Sequence, residues 1–443
     1  MKKLFLSSLS VNLFIMIINL ITGILSARYL GAYGRGELAI ATRWPNLFIL
    51  LFTFGLPGAL TFLGKKNNKE QSSYLSAYFI LNAIIGPIGL IIGFIVFPMI
   101  ISNQPASIIN MAKISLLALP FAIMSHGLIG SLQGINKFKH VMAIKLMTPF
   151  GIVTIILVLI FAGKYNVYNF IVITTLLNVL ICIISLLMVL KFIKPTLNNT
   201  LNKTKELTKR GIQIYGYSIT SSFGNQMDQL VISLVLSPFI LGLYTVAVSI
   251  RNMLISLIHG AISVYLMPKL MDLKGTERYM KVERIHGTLF YGTFFVSIFL
   301  SSVLPLVIPL IYGKEFVDSI IMGVILLSSV PFSIGNAILV NFLTAEAKFH
   351  RITCSEILGI IVGLIVTVLL YRFMGGEAAA LGVVSSSIAK WIINLHASCK
   401  IGVNYRSLFT LYIDSYKSLL QLLFSVIYIN KFQKHKSTIN KNV

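Results

Sequence analysis

The chain has 443 residues, of which 56% are hydrophobic and 11% charged, and its formal net charge is +24. Soluble domains carry about 25% charged residues, and many apolar runs here exceed the ~18 residues that mark a membrane-spanning helix, so one aqueous core is excluded. Nucleic acid, the usual partner of so basic a chain, is excluded too, because the basic residues sit in alternate short loops between apolar runs.

The N-terminus, Met1 to Leu6, imitates a signal peptide, with Ser26-Ala27 as a cleavage site. The apolar run from Val11 continues to Leu30 with one charge, Arg28, which is long enough to span and predicts an uncleaved first helix. The whole chain reads as about twelve spans, near 8–30, 37–63, 73–101, 111–135, 142–163, 168–193, 213–237, 242–270, 286–312, 320–344, 352–374 and 378–401. Pro45, Pro57, Gly86, Pro87, Pro305 and Pro309 fall inside spans, where neighbouring helices and water satisfy the freed carbonyls. The fold class expected is an all-α polytopic membrane protein in two pseudo-symmetric six-helix halves. The halves are 1–193 and 213–401, joined by a basic linker at 194–212 and followed by a tail at 402–443.

Loop charge sets the orientation. From Lys191 to Gly211 six basic residues face one acid, Glu206. The loops after spans 2, 4, 6, 8 and 10, edges included, hold 18 Lys/Arg, while the odd-numbered connections hold six: Arg28, Arg35, Lys113, Lys164, Lys314 and Arg372. The even loops and both termini are therefore expected in the cytoplasm. In the tail, residues 407–430 are long enough for a thirteenth span, but Asp414 and Lys417 interrupt it, and a span would export Lys431, Lys434, Lys436 and Lys441. An amphipathic helix on the cytoplasmic face fits the charge better.

The two halves repeat. The stretch beginning Leu30-Gly-Ala-Tyr-Gly-Arg-Gly matches the one beginning at Leu236 with an offset of 206, with Leu30/Leu236, Gly36/Gly242 and Ala41/Ala247 identical. The stretch Leu132 to His140 matches Leu343 to Arg351 with an offset of 211. Six spans per repeat make the repeats parallel, related by an axis along the membrane normal, and transporters so built bind substrate between the halves.

Those residues also carry a resemblance. The Leu-Gly-x-x-x-x-Gly pattern at 30–36 and Gly55-Leu-Pro-Gly-Ala-Leu resemble the start of Wzx-type polysaccharide flippases. These flippases belong to the multidrug/oligosaccharidyl-lipid/polysaccharide exporter superfamily. Met227-Asp-Gln-Leu-Val-Ile-Ser with Gly242-Leu-Tyr-Thr-Val-Ala is similar to the start of that family's second half, and Gly134-Ile-Asn-Lys-Phe and Ala345-Glu-Ala-Lys-Phe are similar to its basic turns. The resemblance covers residues 1 to about 401. It implies a non-enzyme that exports an undecaprenyl-diphosphate-linked oligosaccharide repeat unit across the bacterial inner membrane, for O-antigen, lipopolysaccharide or capsule. It implies membrane lipids, a polysaccharide polymerase and a chain-length regulator as partners. Lipid II flippases and multidrug antiporters share the superfamily.

Ionisable groups inside a membrane are functional hypotheses by default. Arg43, Arg251, Arg28 and Lys390 fall within or at the edge of spans. Guanidinium forks match the oxygens of a lipid diphosphate, so these four are the expected substrate-binding residues. Arg43 aligns with Ser249 rather than Arg251 at the 206 offset, so the two arginines are not symmetry mates. The alternative is structural: Asp228 pairs with Arg251 or Lys390, and Arg28 snorkels to the interface. Asp228 is otherwise a coupling-ion site. His126 and His259 are proton carriers or histidines bonded to a neighbouring helix. Lys145 and Glu356 fall at span ends, where solvated heads are expected.

No phosphate-cradling Gly-rich loop with a lysine occurs, so ATP does not drive transport from this chain. Cys182, Cys354 and Cys399 lie apart in apolar segments without metal spacing, and neither metal nor cofactor is expected. A small-molecule cation antiporter needs a negative cavity, whereas basic groups dominate these spans. A membrane polymerase or ligase usually needs a sizeable external loop, and the external connections here are short.

Overall fold

The computed structural model describes residues 2–196, 199–224 and 226–412, without the side chains of 2–10, 68, 217–218, 220–224, 227–228, 235, 260–265, 267–269 and 271. All regular structure among the described residues is helical. Ten helical segments among the described residues are long and apolar enough to cross a membrane. The first, Val11–Phe52, counts as two spans, because Gly31 at φ 66°, ψ −177° breaks the helix into arms 2–30 and 32–52. That left-handed φ suits glycine. The span expected at 213–237 is divided between Thr200–Gly224 and Met227–Val235. With these two readings the expected twelve crossings are accounted for, and the chain is an all-helical membrane protein.

The outer surface of the bundle is apolar, as lipid requires. On Gln71–Ile100, Ile84, Ile88, Ile91 and Ile95 recur at helical spacing and all are exposed, Ile91 and Ile95 by 61% each. Phe295, Phe299, Leu306 and Leu310 do the same on Gly275–Ile311.

The repeat read from the sequence extends to helix boundaries. Leu119–Gly134 and Val330–Ala345 begin and end at the same 211 offset, each with a proline in its first turn, Pro120 and Pro331. Phe138–Phe161 and Phe349–Met374 start at that offset too. The turns between them have one geometry. Asn136 (φ 59°) and Ala347 (φ 56°) are left-handed, and the next amide bonds back five residues, Lys137 to Leu132 at 2.9 Å and Lys348 to Leu343 at 2.8 Å. This is a Schellman-type helix end.

The repeats meet at matched glycines. A Cβ on Gly36 would strike the carbonyl of Pro238, and one on Gly242 would strike the carbonyl of Ala32. The two contacts interchange under the 206 offset, which is what a two-fold axis through this crossing produces. Only glycine lets the helices approach so closely.

Two expectations differ from the structure. Most of 194–212 is not a loop: a helix begins at Thr200 and runs to Gly224. Thr200, Leu207 and Gly211 are buried at helical spacing and Leu201 is 88% exposed, so this stretch is an amphipathic helix whose charges hid its periodicity. In the tail, Tyr405–Leu408 forms one short helix docked on Gly275–Ile311, where Glu283 Oε1 accepts from the Asn404 amide at 2.6 Å. Residues 413–443, and with them most of the expected 407–430 helix, lie outside the described residues.

Candidate functional site

Val231 and four helices after residue 238 line a cavity of about 460 Å³. Each of the four helices presents a stripe at the helical period: Arg251, Ile255 and His259; Ser333, Asn336, Ala337 and Val340; Glu356, Ile360, Gly363, Leu364 and Thr367; Val383, Ser386, Ser387 and Lys390. Small residues open the space. Gly363 and Gly382 approach each other, and a Cβ on Gly363 would lie 2.9 Å from the Gly382 carbonyl.

Arg251 is the best-held charge in the cavity. Its Nε donates to Ser329 Oγ at 2.7 Å, Nη2 to Ser333 Oγ at 3.1 Å and Nη1 to Asn252 Oδ1 at 3.2 Å. Ser333 in turn donates to Ser387 at 3.2 Å, which links the arginine to the helix opposite. These hydrogen bonds orient the guanidinium fork on the cavity wall. Lys390 Nζ donates to Glu356 Oε2 at 2.8 Å, and the two side chains are only 12% and 15% exposed. Those two charges neutralise each other. His259 lines the space and makes no hydrogen bond among the described residues.

The sequence-derived candidates therefore divide. Arg251, Lys390 and His259 come together in this cavity, whereas Arg43, Arg28 and His126 do not line it. Arg43 is half-buried on the 32–52 arm, next to Trp44, whose Nε1 donates to Ser233 Oγ at 3.0 Å. Arg28 sits at the meeting of the repeats: its Nε donates to the Ile311 carbonyl at 2.7 Å and its Nη2 to that of Leu310. Capping a helix C-terminus satisfies orphan carbonyls, so Arg28 joins two helices rather than snorkelling. His126, on Leu119–Gly134, is exposed and makes no hydrogen bond among the described residues. Asp228 belongs to Met227–Val235, but its side chain lies outside the described residues.

Three placements correct the sequence reading. The partner of Lys390 is Glu356, not Asp228. Glu356 lies two turns into Phe349–Met374, facing Gly376–Cys399, rather than in solvent at a span end. The cavity lies among the helices of the second repeat rather than between the repeats. The signal missed was the lone carboxylate on an apolar span, which by its cost in lipid calls for a cation opposite.

Among the described residues no group of three or more His, Cys, Asp or Glu could hold a metal ion.

Comparison with known proteins gives three findings. The family model described as polysaccharide biosynthesis protein matches residues 1–274. Curated protein sequences give no significant match. Among solved structures, the lipid II flippase MurJ in an inward closed conformation is similar, with TM-score 0.76 and 15% identity, over 95% of this chain and 92% of that one. An inward-facing multidrug resistance MATE transporter of the MOP superfamily gives TM-score 0.65 and 14% identity over 89% and 98% of the two chains. A eukaryotic MATE transporter gives 0.60 and 16% over 92% and 97%. At these identities the likeness is one of fold.

Proposed function

Because the chain belongs to the polysaccharide biosynthesis protein family, we propose that it is a flippase for lipid-linked oligosaccharides. It moves an undecaprenyl-diphosphate-linked repeat unit across the bacterial cytoplasmic membrane by alternating access, in O-antigen or capsule assembly. The observation that carries the reading is Arg251, a guanidinium oriented by Ser329, Ser333 and Asn252 on the wall of a membrane cavity. A diphosphate headgroup offers paired anionic oxygens to such a fork. The MurJ neighbour, a lipid II flippase by its title, lends the same fold to a lipid-linked cargo.

The loop charges support an orientation with both termini and the 194–212 stretch in the cytoplasm. In this reading residues 1–193 and 213–401 move against each other as two bodies. A polymerase and a chain-length regulator take the exported unit. The Glu356 carboxylate would favour a cation antiporter, but Lys390 at 2.8 Å neutralises it.

The test is deletion and complementation. Deleting the gene should stop surface display of one polysaccharide while its lipid-linked unit accumulates on the cytoplasmic leaflet. Arg251→Ala should lower export roughly 10- to 100-fold at normal membrane abundance, the worth of charge-assisted hydrogen bonds, with Arg251→Lys between. Persisting polymer with altered drug sensitivity would instead favour the antiporter.

A further inference from the structure

A second cavity, of about 720 Å³, opens at the other end of the bundle from the 194–212 stretch. It is within the ~300–1,000 Å³ of ligand clefts. Helix ends build it. Tyr29 comes from the end of the first arm, and Tyr33 and Glu37, four residues apart on one face, come from the start of the second. Asn110 comes from Ala106–Leu116, and Asn166 and Tyr168 from the start of Val167–Leu190.

The chemistry of the lining is specific. Tyr29, Tyr33 and Tyr168 are 57%, 47% and 56% exposed, so their rings are available to a ligand. Tyr165, between them, fixes the arrangement. Its hydroxyl pairs with Ser26 Oγ at 2.9 Å, and its ring meets Tyr29 edge-on at 6.3 Å. Glu37 is half-buried, and its carboxylate makes no hydrogen bond among the described residues. Asn166 uses Oδ1 to cap the helix through the Asn169 amide at 2.8 Å, so its Nδ2 is the group it offers the cavity. Among the described lining residues none is lysine or arginine.

Flat aromatic faces suit the C–H faces of sugar rings. A carboxylate accepts from two neighbouring hydroxyls, and amides donate to and accept from others. A phosphate would find no cation here, and an apolar ligand would leave Glu37 unpaired. Tyrosines at a membrane boundary also form lipid-facing belts, but a belt needs neither a concave wall nor a carboxylate within it. We propose that this groove is a saccharide-binding site that holds the sugar portion of the transported glycolipid on the outer face. The identity of that saccharide, and the placing of the groove outside, rest on the flippase reading above.

The experiment uses the full-length protein in nanodiscs. The probe is oligosaccharide prepared by partial acid hydrolysis of the strain's own surface polysaccharide. Saturation-transfer NMR should show transfer from aromatic protons to the glycan. Glu37→Gln and Tyr168→Ala should each weaken binding about tenfold, the scale of one well-placed hydrogen bond or aromatic contact. Size-exclusion profile and melting temperature check that each variant is intact. Absence of binding to the wild type overturns the proposal. So does equal binding by Tyr33→Ala/Tyr168→Ala, or a change in stability without a change in binding. The deletion phenotype tests the flippase reading separately: a strain that keeps its surface polymer refutes export, while glycan binding still decides the groove.

Discussion

The Lys390–Glu356 pair is largely shielded, at 12% and 15% exposure, in the cavity, so it can be tested one residue at a time. Replacing Lys390 by Met should strand the Glu356 carboxylate in a site of low dielectric. Breaking such a pair costs about 3–5 kcal/mol, so membrane abundance and melting temperature should fall. Lys390→Met with Glu356→Gln should restore both, because the second change removes the orphaned charge. Restoration without recovered export would assign the pair to transport as well as to stability. Unchanged abundance in Lys390→Met alone would show that the pair is solvated in the membrane. Arg251, Lys390 and His259 were legible in the sequence because ionisable groups are rare in apolar spans. Glu356 was not. It lies 34 residues from Lys390, and whether they face each other depends on how two helices rotate, which a hydropathy pattern leaves undetermined.

At the scale of elements, the Thr200–Gly224 helix is tied to the first repeat by charges at its start. Lys203 Nζ donates to Glu70 Oε2 at 2.5 Å and Glu206 Oε2 at 3.3 Å, and the Tyr74 hydroxyl donates to Glu206 at 2.7 Å. The hydrogen bond from Lys203 holds the Glu70 carboxyl below the usual range, and the hydrogen bond to Glu70 holds the Lys203 ammonium above its own. The Glu70 contribution is complete above its unperturbed pKa of about 4.3 and is lost as pH falls through the depressed value. The Lys203 contribution is complete below about 10.4 and is lost as pH rises through the raised value. Protease protection of the stretch before Thr200 should therefore be flat between those limits and fall outside them, and Lys203→Ala should lower it at neutral pH. Protection that changes between pH 6 and pH 8 would point to a histidine instead. Sequence reading took this stretch for a loop because its polar face outweighs its apolar one. The spacing of Leu207, Gly211 and Ile214 was the available sign, and its register only becomes visible once a partner surface exists.

For the whole molecule, the repeat was readable from Gly36/Gly242 and from the 211 offset, and both recur in helix ends, turns and the central crossing. The sequence did not show that the cavity with Arg251 would sit off the axis, in the second repeat. Three contacts close one end of the bundle: the glycine crossing, Arg28 on the carbonyls of Leu310 and Ile311, and Glu315 Oε1 accepting from the Ala32 amide at 2.9 Å. The alternating access proposed above requires this end to part. Gly242→Leu would drive a side chain into the Ala32 carbonyl, an overpacking cost of about 1–3 kcal/mol. The closed form should then become the disfavoured one. A cysteine at Ala32, buried at the crossing in this form, should react faster with an impermeant thiol reagent outside intact cells in Gly242→Leu than in the parent. Equal rates would mean that the crossing does not open during transport.

The central claim is that the chain carries lipid-linked sugar across a bilayer, and transport by the purified protein tests it most directly. Proteoliposomes are loaded with undecaprenyl-diphosphate oligosaccharide isolated from the deletion strain, and the fraction open to an added glycosidase is followed in time. The account predicts that wild-type protein raises the rate at which the protected pool becomes accessible, and that Arg251→Ala at equal protein density lowers that gain roughly 10- to 100-fold. An identical rate with and without the wild-type protein, alongside uptake of a fluorescent organic cation, would contradict it.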